Sequence, residues 1–186
     1  MIFCIALLSC KDEVKSVVKH ETDPETTPTV VTYDVTSLVS DSGVTKYKIT
    51  TKLWNIFEEA KEPRWTFPKG LYLEELNDKF RAIATISCDS AIYFKEQQLW
   101  RLDGNVNIKN ELNEKILTNQ ILWDQRLHEV YSDSFIHIEK IDRVIEGRGF
   151  KSNEQLTDYR LYQVQGIFPI DESKLGANRG VQPEEN

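Results

Sequence analysis

The chain has 186 residues, of which 40% are hydrophobic and 28% charged, with a net charge of −7. This balance suits one folded domain with flanking segments. With no basic stripe, it argues against nucleic acid as a partner and against broad electrostatic docking on anionic membranes.

In chain order, the first element is an apolar leader, Met1 to Ser9, followed by Cys10. It is too short to span a bilayer, which takes about 20 residues. It also lacks the positive n-region of a secretory signal, so the true start is expected further upstream. Leu7-Leu8-Ser9-Cys10 resembles a lipobox, the bacterial lipoprotein cleavage signal. There the cysteine becomes an acylated N-terminus, and Cys10 is the expected lipid anchor to a membrane. Residues 10–30 are charged and Thr/Pro-rich, so they are expected to form a flexible tether. Its root-mean-square reach is about 25 Å.

From Val31 the hydrophobic period is two. Val31–Leu38 and Val44–Trp54 read as a hairpin around Asp41-Ser42-Gly43, with Tyr47, Ile49, Thr51 and Leu53 on one face. Glu58–Pro63 reads as a loop or a single helical turn, and Pro68-Lys69-Gly70 as a turn before Leu71–Leu73. Further strands are expected at 82–88, 91–94, 98–108, 116–124, 129–132, 134–139, 143–147 and 159–168, with Asp89-Ser90 as a turn. Residues 171–186 are expected to be a disordered tail. The pattern predicts an all-β domain over 31–170, a sandwich or barrel-like arrangement of antiparallel strands.

Chemistry-bearing residues are sparse. Cys4 lies in the leader and Cys10 at its end, so Cys88 is left alone and is expected to be a small buried hydrophobe. No metal site is expected, because no Cys or His pairing has ligand spacing and His20, His128 and His137 are scattered. No nucleophile elbow or phosphate loop is present, so neither an enzyme nor a cofactor is expected.

Several segments together carry a resemblance. They are Trp100-Arg101-Leu102-Asp103-Gly104-Asn105-Val106, Leu117-Thr118-Asn119 with Leu122-Trp123-Asp124, and Val130-Tyr131-Ser132 with Phe135-Ile136-His137-Ile138. Glu146–Asn153 and Leu161–Gly166 complete the set. Their order and spacing, over roughly residues 80 to 168, resemble the LptC-like periplasmic subunit of the lipopolysaccharide-export ABC transporter, here in a lipoprotein-type version. The better-known form of that family carries an uncleaved transmembrane helix, where this chain has a lipobox.

The resemblance implies an open, twisted β-jellyroll on the periplasmic face of the inner membrane. It implies that lipopolysaccharide is received from the inner-membrane ABC transporter subunits and passed to a periplasmic bridge protein of the same fold. Acyl chains would lie between the sheets. The residues chosen for that groove are Trp100, Leu102, Val106, Ile108, Leu117, Ile121, Trp123, Phe135 and Val144. Taken singly, each reads first as a core position of a sandwich, and the groove reading rests on the set. The alternative is a surface or outer-membrane lipoprotein whose β domain binds a protein or glycan. Lys11-Asp12-Glu13 keeps it open, because residues beside an acylated cysteine direct sorting. A third reading is a structural scaffold without cargo.

Overall fold

The computed structural model describes residues 23–41 and 43–169. The leader, Cys4, Cys10, His20, Ser42 and the 171–186 tail lie outside the described residues. Within them the chain is all β and antiparallel. The strands are β1 (Val30–Asp41), β2 (Val44–Phe57), β3 (Arg64–Phe67), β4 (Leu71–Leu76), β5 (Ala82–Cys88) and β6 (Ser90–Phe94). They continue with β7 (Leu99–Lys109), β8 (Lys115–Asp124), β9 (Glu129–Glu139), β10 (Arg143–Asn153) and β11 (Tyr159–Pro169). The expected open, twisted jellyroll is what forms.

The topology is a meander folded over a single crease. The C-terminal part of β2 pairs with β3, β3 with β6, and β6 with the N-terminal part of β7. In parallel, the N-terminal part of β2 pairs with β4, β4 with β5, and β5 with the C-terminal part of β7. β3 and β4 are therefore one bent path, turned at Pro68–Gly70, and β5 and β6 are another, turned at Asp89. β8, β9, β10 and β11 add in order beyond β7. Their pairings each skip or shift a residue near mid-strand, as at Thr118/Leu122 and Glu146/Gly147. Such shifts are β-bulges, which bend a strand and sharpen its twist. Aligned across the sheet, they fold it into a β3–β6 layer facing a β4–β5 layer.

In β7 the crease falls on Gly104 and Asn105, with φ of +76° and +45°. Asp89 stitches it: its N–H donates to the Gly104 carbonyl at 2.9 Å, and Asn105 Nδ2 donates to Asp89 Oδ2 at 2.7 Å. A Cβ on Gly104 would lie 2.6 Å from that same carboxylate oxygen, so glycine is required there by space as well as by φ.

The bends correct several expected boundaries. β3 was not anticipated, because four residues between Pro63 and Pro68 carry little alternation. Ser90 lies within β6 rather than in a turn. The strands expected at 129–132 and 134–139 are one strand, β9, and β10 runs on to Asn153 instead of ending at 147. Of the expected tether, residues 23–30 are described, and Val30 is already the first residue of β1. Glu25 accepts from Lys61 N at 2.6 Å and from Arg64 Nη1 at 3.2 Å, and Thr29 N donates to the Ile56 carbonyl at 2.7 Å.

The core lies between the layers. Phe67, Val106, Ile116, Ile136, Ile138 and Phe150 are essentially inaccessible. At about 25 cal/mol per Å² of apolar surface, burying each contributes roughly 1.5–3 kcal/mol. Cys88 is buried, as expected. One side of the sandwich is clasped shut by Asn110, which is 1% exposed. Its Nδ2 donates to the Leu156 carbonyl at 2.8 Å, joining the β7–β8 tip to the β10–β11 tip.

Candidate functional site

Beside this contact the layers stay apart. There a cleft of about 500 Å³ runs between the layers. It continues inward to a narrow cavity of about 50 Å³ lined by Ala84, Ile86, Leu102, Ile108, Ile121 and Leu156. The two share Tyr47, Leu73, Glu75, Trp123, Glu154 and Gln155 in their walls.

Strand register builds the floor of the cleft. Trp65 is paired with Tyr93, Tyr93 with Trp100, and Trp100 with Trp123, on β3, β6, β7 and β8. Directly opposite residues on neighbouring strands have their Cβ atoms about 5 Å apart, so large rings must touch. The ring centroids are 5.1, 4.7 and 6.4 Å apart along this row. Trp54 extends it at one end, 5.2 Å from Trp65, and Tyr47 meets Trp123 edge-on from the other layer at 5.8 Å. Aromatic pairs of this kind contribute about 0.5–1.5 kcal/mol beyond their area, so the floor is rigid as well as apolar.

Polar groups surround this floor. Trp123 Nε1 donates to Glu154 Oε1 at 2.8 Å, and His128 Nδ1 lies 2.9 Å from Glu154 Oε2. Glu75 is half-buried in the wall, and burial raises its carboxyl above the ordinary value; Glu111 and Glu154 push the same way and Lys46 opposes them. Gln98, Gln125 and Gln155 lie at the rim. Burial pushes the Cys88 thiol up to about 11, so at neutral pH it is an inert hydrophobe. No group of three or more His, Cys, Asp or Glu able to hold a metal occurs among the described residues.

The structure brings five of the nine chosen groove residues to this space: Trp100, Leu102, Ile108, Ile121 and Trp123. Val106 is fully buried in the core without lining the cleft. Leu117, Phe135 and Val144 are not brought to it. Leu117 and Phe135 line a shallow outer-face depression with His137, and Val144 lines another beside Ile141. His137 Nδ1 is 2.8 Å from Glu146 Oε1 on that outer face. Tyr47, Trp65, Tyr93 and Glu75 were not among the chosen residues, although they line the cleft. Tyr47 alternates with the buried Ile49 and Thr51, and that alternation was a usable signal.

The model of the LptC-related lipopolysaccharide-assembly family matches residues 1–168. The chain belongs to that family. A search of curated proteins found no match. Membership makes the chain a cell-envelope lipopolysaccharide-transport component rather than a member of an enzyme family. No helix among the described residues is long and apolar enough to cross a membrane.

Proposed function

We propose that this LptC-family chain receives lipopolysaccharide from the inner-membrane ABC transporter into the inter-layer cleft and passes it to a periplasmic bridge protein of the same fold. Acyl chains enter between the layers, where Leu102, Ile108 and Ile121 offer an apolar lining. The observation that carries this reading is the asymmetric closure of the sandwich, clasped at Asn110–Leu156 and open at the aromatic side. Apolar concave sites with a few polar groups are the usual form of a lipid or small-molecule site.

The two outermost strands support the relay. Among the described residues β1 pairs only with β2, and β11 only with β10. Both expose apolar residues, including Tyr33 and Leu38 on β1 and Tyr162 and Phe168 on β11. An unpaired edge is a template for strand addition by another chain. Pairing at both edges makes one continuous cleft through which lipid moves from transporter to bridge.

In this reading acyl chains on Cys10 hold the domain at the periplasmic face of the inner membrane. Cys10→Ser leaves the domain folded and moves it to the soluble fraction; persistent membrane sedimentation refutes the anchor. The transport reading is tested by site-specific photocrosslinking to lipopolysaccharide in intact cells. A probe at Trp123 crosslinks, and a probe at the outer-face Phe135 does not. Equal labelling at both, or labelling at Phe135 alone, refutes the cleft as the lipid path.

A further inference from the structure

The inner end of the cleft is too small for an acyl chain, at about 50 Å³. A single benzene ring takes a cavity of about 150 Å³. A stretch of wall must therefore withdraw before a chain can lie there. Apart from Asn110 and residues 154–156, the lining residues sit on β2, β4, β5, β7, β8 and β9, each hydrogen-bonded to a strand on both sides. Residues 154–156 lie instead in the β10–β11 turn. Its backbone hydrogen bonds, from Leu156 N to the Asn153 carbonyl and from Asn153 N to the Asp158 carbonyl, each at 3.1 Å, close the turn on itself. Side chains fasten it to its surroundings: Trp123 and His128 meet the Glu154 carboxylate, and Asn110 donates to the Leu156 carbonyl.

Within this turn Leu156 is set apart. Gln155 and Asp158 are exposed, while Leu156 is 5% exposed and lines the cavity. Its backbone is held at φ +57°. A left-handed conformation is unfavourable for a bulky side chain and persists only where the surroundings compensate for it. The compensation here is apolar burial at the inner end of the cleft. An acyl chain entering that space supplies the same apolar contacts, so the two occupants compete for one site.

We propose that Leu156 is a plug that closes the inner end of the cleft in the unloaded protein and that the incoming acyl chain displaces it, swinging the β10–β11 turn outward. This rests on the acyl-chain reading above and adds to it the part of the wall that moves. The exchange replaces one apolar occupant by another and lets the backbone leave its left-handed conformation. It gives up the bond from Asn110 to the Leu156 carbonyl, while Asn110 keeps its three bonds within its own tip. Loading and release therefore differ little in contacts, as a relay requires.

The test uses the full chain carrying Cys10→Ser, so that no native acyl chain competes. Dodecylphosphocholine is titrated below its micelle concentration with tryptophan fluorescence as the readout, and amide hydrogen exchange is followed with and without it. On binding, exchange across residues 154–158 speeds up about 10-fold, while the 110–114 tip and the inner strands do not speed up. Leu156→Gly, which suits φ +57° and removes the plug, binds the amphiphile about 10-fold more tightly, because no side chain has to be displaced first. Binding that leaves exchange at 154–158 unchanged or slower overturns the plug and leaves the acyl cleft standing, whatever the variant does. A folded Leu156→Gly with unchanged or weaker affinity overturns it too, and if that variant does not fold, the exchange result decides. Binding by neither protein overturns the acyl-chain reading and the plug together.

Discussion

Asn110→Ala is the perturbation whose magnitude follows most directly from the structure. Asn110 Oδ1 accepts from Leu112 N and Glu114 N, each at 3.0 Å. Its Nδ2 donates to Glu114 Oε2 at 3.1 Å and to the Leu156 carbonyl at 2.8 Å. Four hydrogen bonds at a net contribution of about 1 kcal/mol each amount to about 4 kcal/mol. Some is recovered where water reaches the exposed tip, so the loss is about 3–4 kcal/mol. With a urea slope of about 1–3 kcal/mol per M, the unfolding midpoint falls by about 2 M.

Asn153→Ala is the matched control. Asn153 makes a chemically similar tip, accepting from Thr157 N at 3.0 Å and Asp158 N at 3.2 Å and donating to Thr157 Oγ1 at 3.0 Å. All of those bonds stay within its own turn and nearer to solvent, so its loss is about 1–2 kcal/mol. Urea unfolding followed by tryptophan fluorescence measures both. A loss below about 1 kcal/mol for Asn110→Ala, or equal losses for the two, refutes the view that Asn110 clasps the layers.

Three other outcomes follow. The Glu75 carboxyl is raised in the folded protein, so on going up in pH the unfolded chain releases its proton first and stability falls. Glu75→Gln therefore raises the thermal midpoint at pH 7, and the gain vanishes below the ordinary carboxylate range; a gain that persists in acid refutes it. Phe80 caps the β4–β5 tip at φ +55° with its ring 65% exposed. Phe80→Gly relieves about 1–2 kcal/mol of left-handed strain against about 0.5–1 of added chain freedom, a net gain of about 0.5–1 kcal/mol in urea unfolding. Gly104→Ala pushes a methyl into Asp89 at positive φ and destabilises by about 2–4 kcal/mol, readable in the same assay.

The fold class was legible because most strands alternate cleanly, and the turns are marked by residues such as Asn110, whose side chain closes its own turn. The inner face was only partly legible, and the crease explains why. On β7 and β9 the buried residues keep one phase throughout: Trp100, Leu102, Val106 and Ile108, then Val130, Ser132, Ile136 and Ile138. On β8 and β10 the phase switches at the bend: Ile116 and Thr118 give way to Ile121 and Trp123, and Gly147 gives way to Phe150 and Ser152. A strict period of two run back from Trp123 and Ile121 lands on Leu117, which faces outward. Phe135 lies out of phase with Val130 once 129–139 is read as the single strand β9, and it faces outward. The aromatic row depends on pairing Trp65 with Tyr93 and Tyr93 with Trp100, and that is long-range register, which one sequence does not encode locally.

The same crease also governs how the edges are offered to other chains. In β1, Asp34 adopts φ +49° and is passed over in the pairing, which runs from Tyr33 opposite Leu53 to Val35 opposite Thr51. In β11, Gln165 is passed over between Val164 and Gly166. The Gln165 bulge turns part of the β11 ladder away, and the kink at Asp34, where Lys52 opposite is unpaired too and the register does not shift, interrupts that of β1; both blunt indiscriminate pairing. Each edge is thus split into two short straight runs set at an angle. A partner strand must bend at the same level to pair along the full length of either edge, and a chain with the same repeated crease does so. In the proposed relay, the bends that fold the sheet over the cleft would also favour neighbours of like fold over arbitrary extended segments.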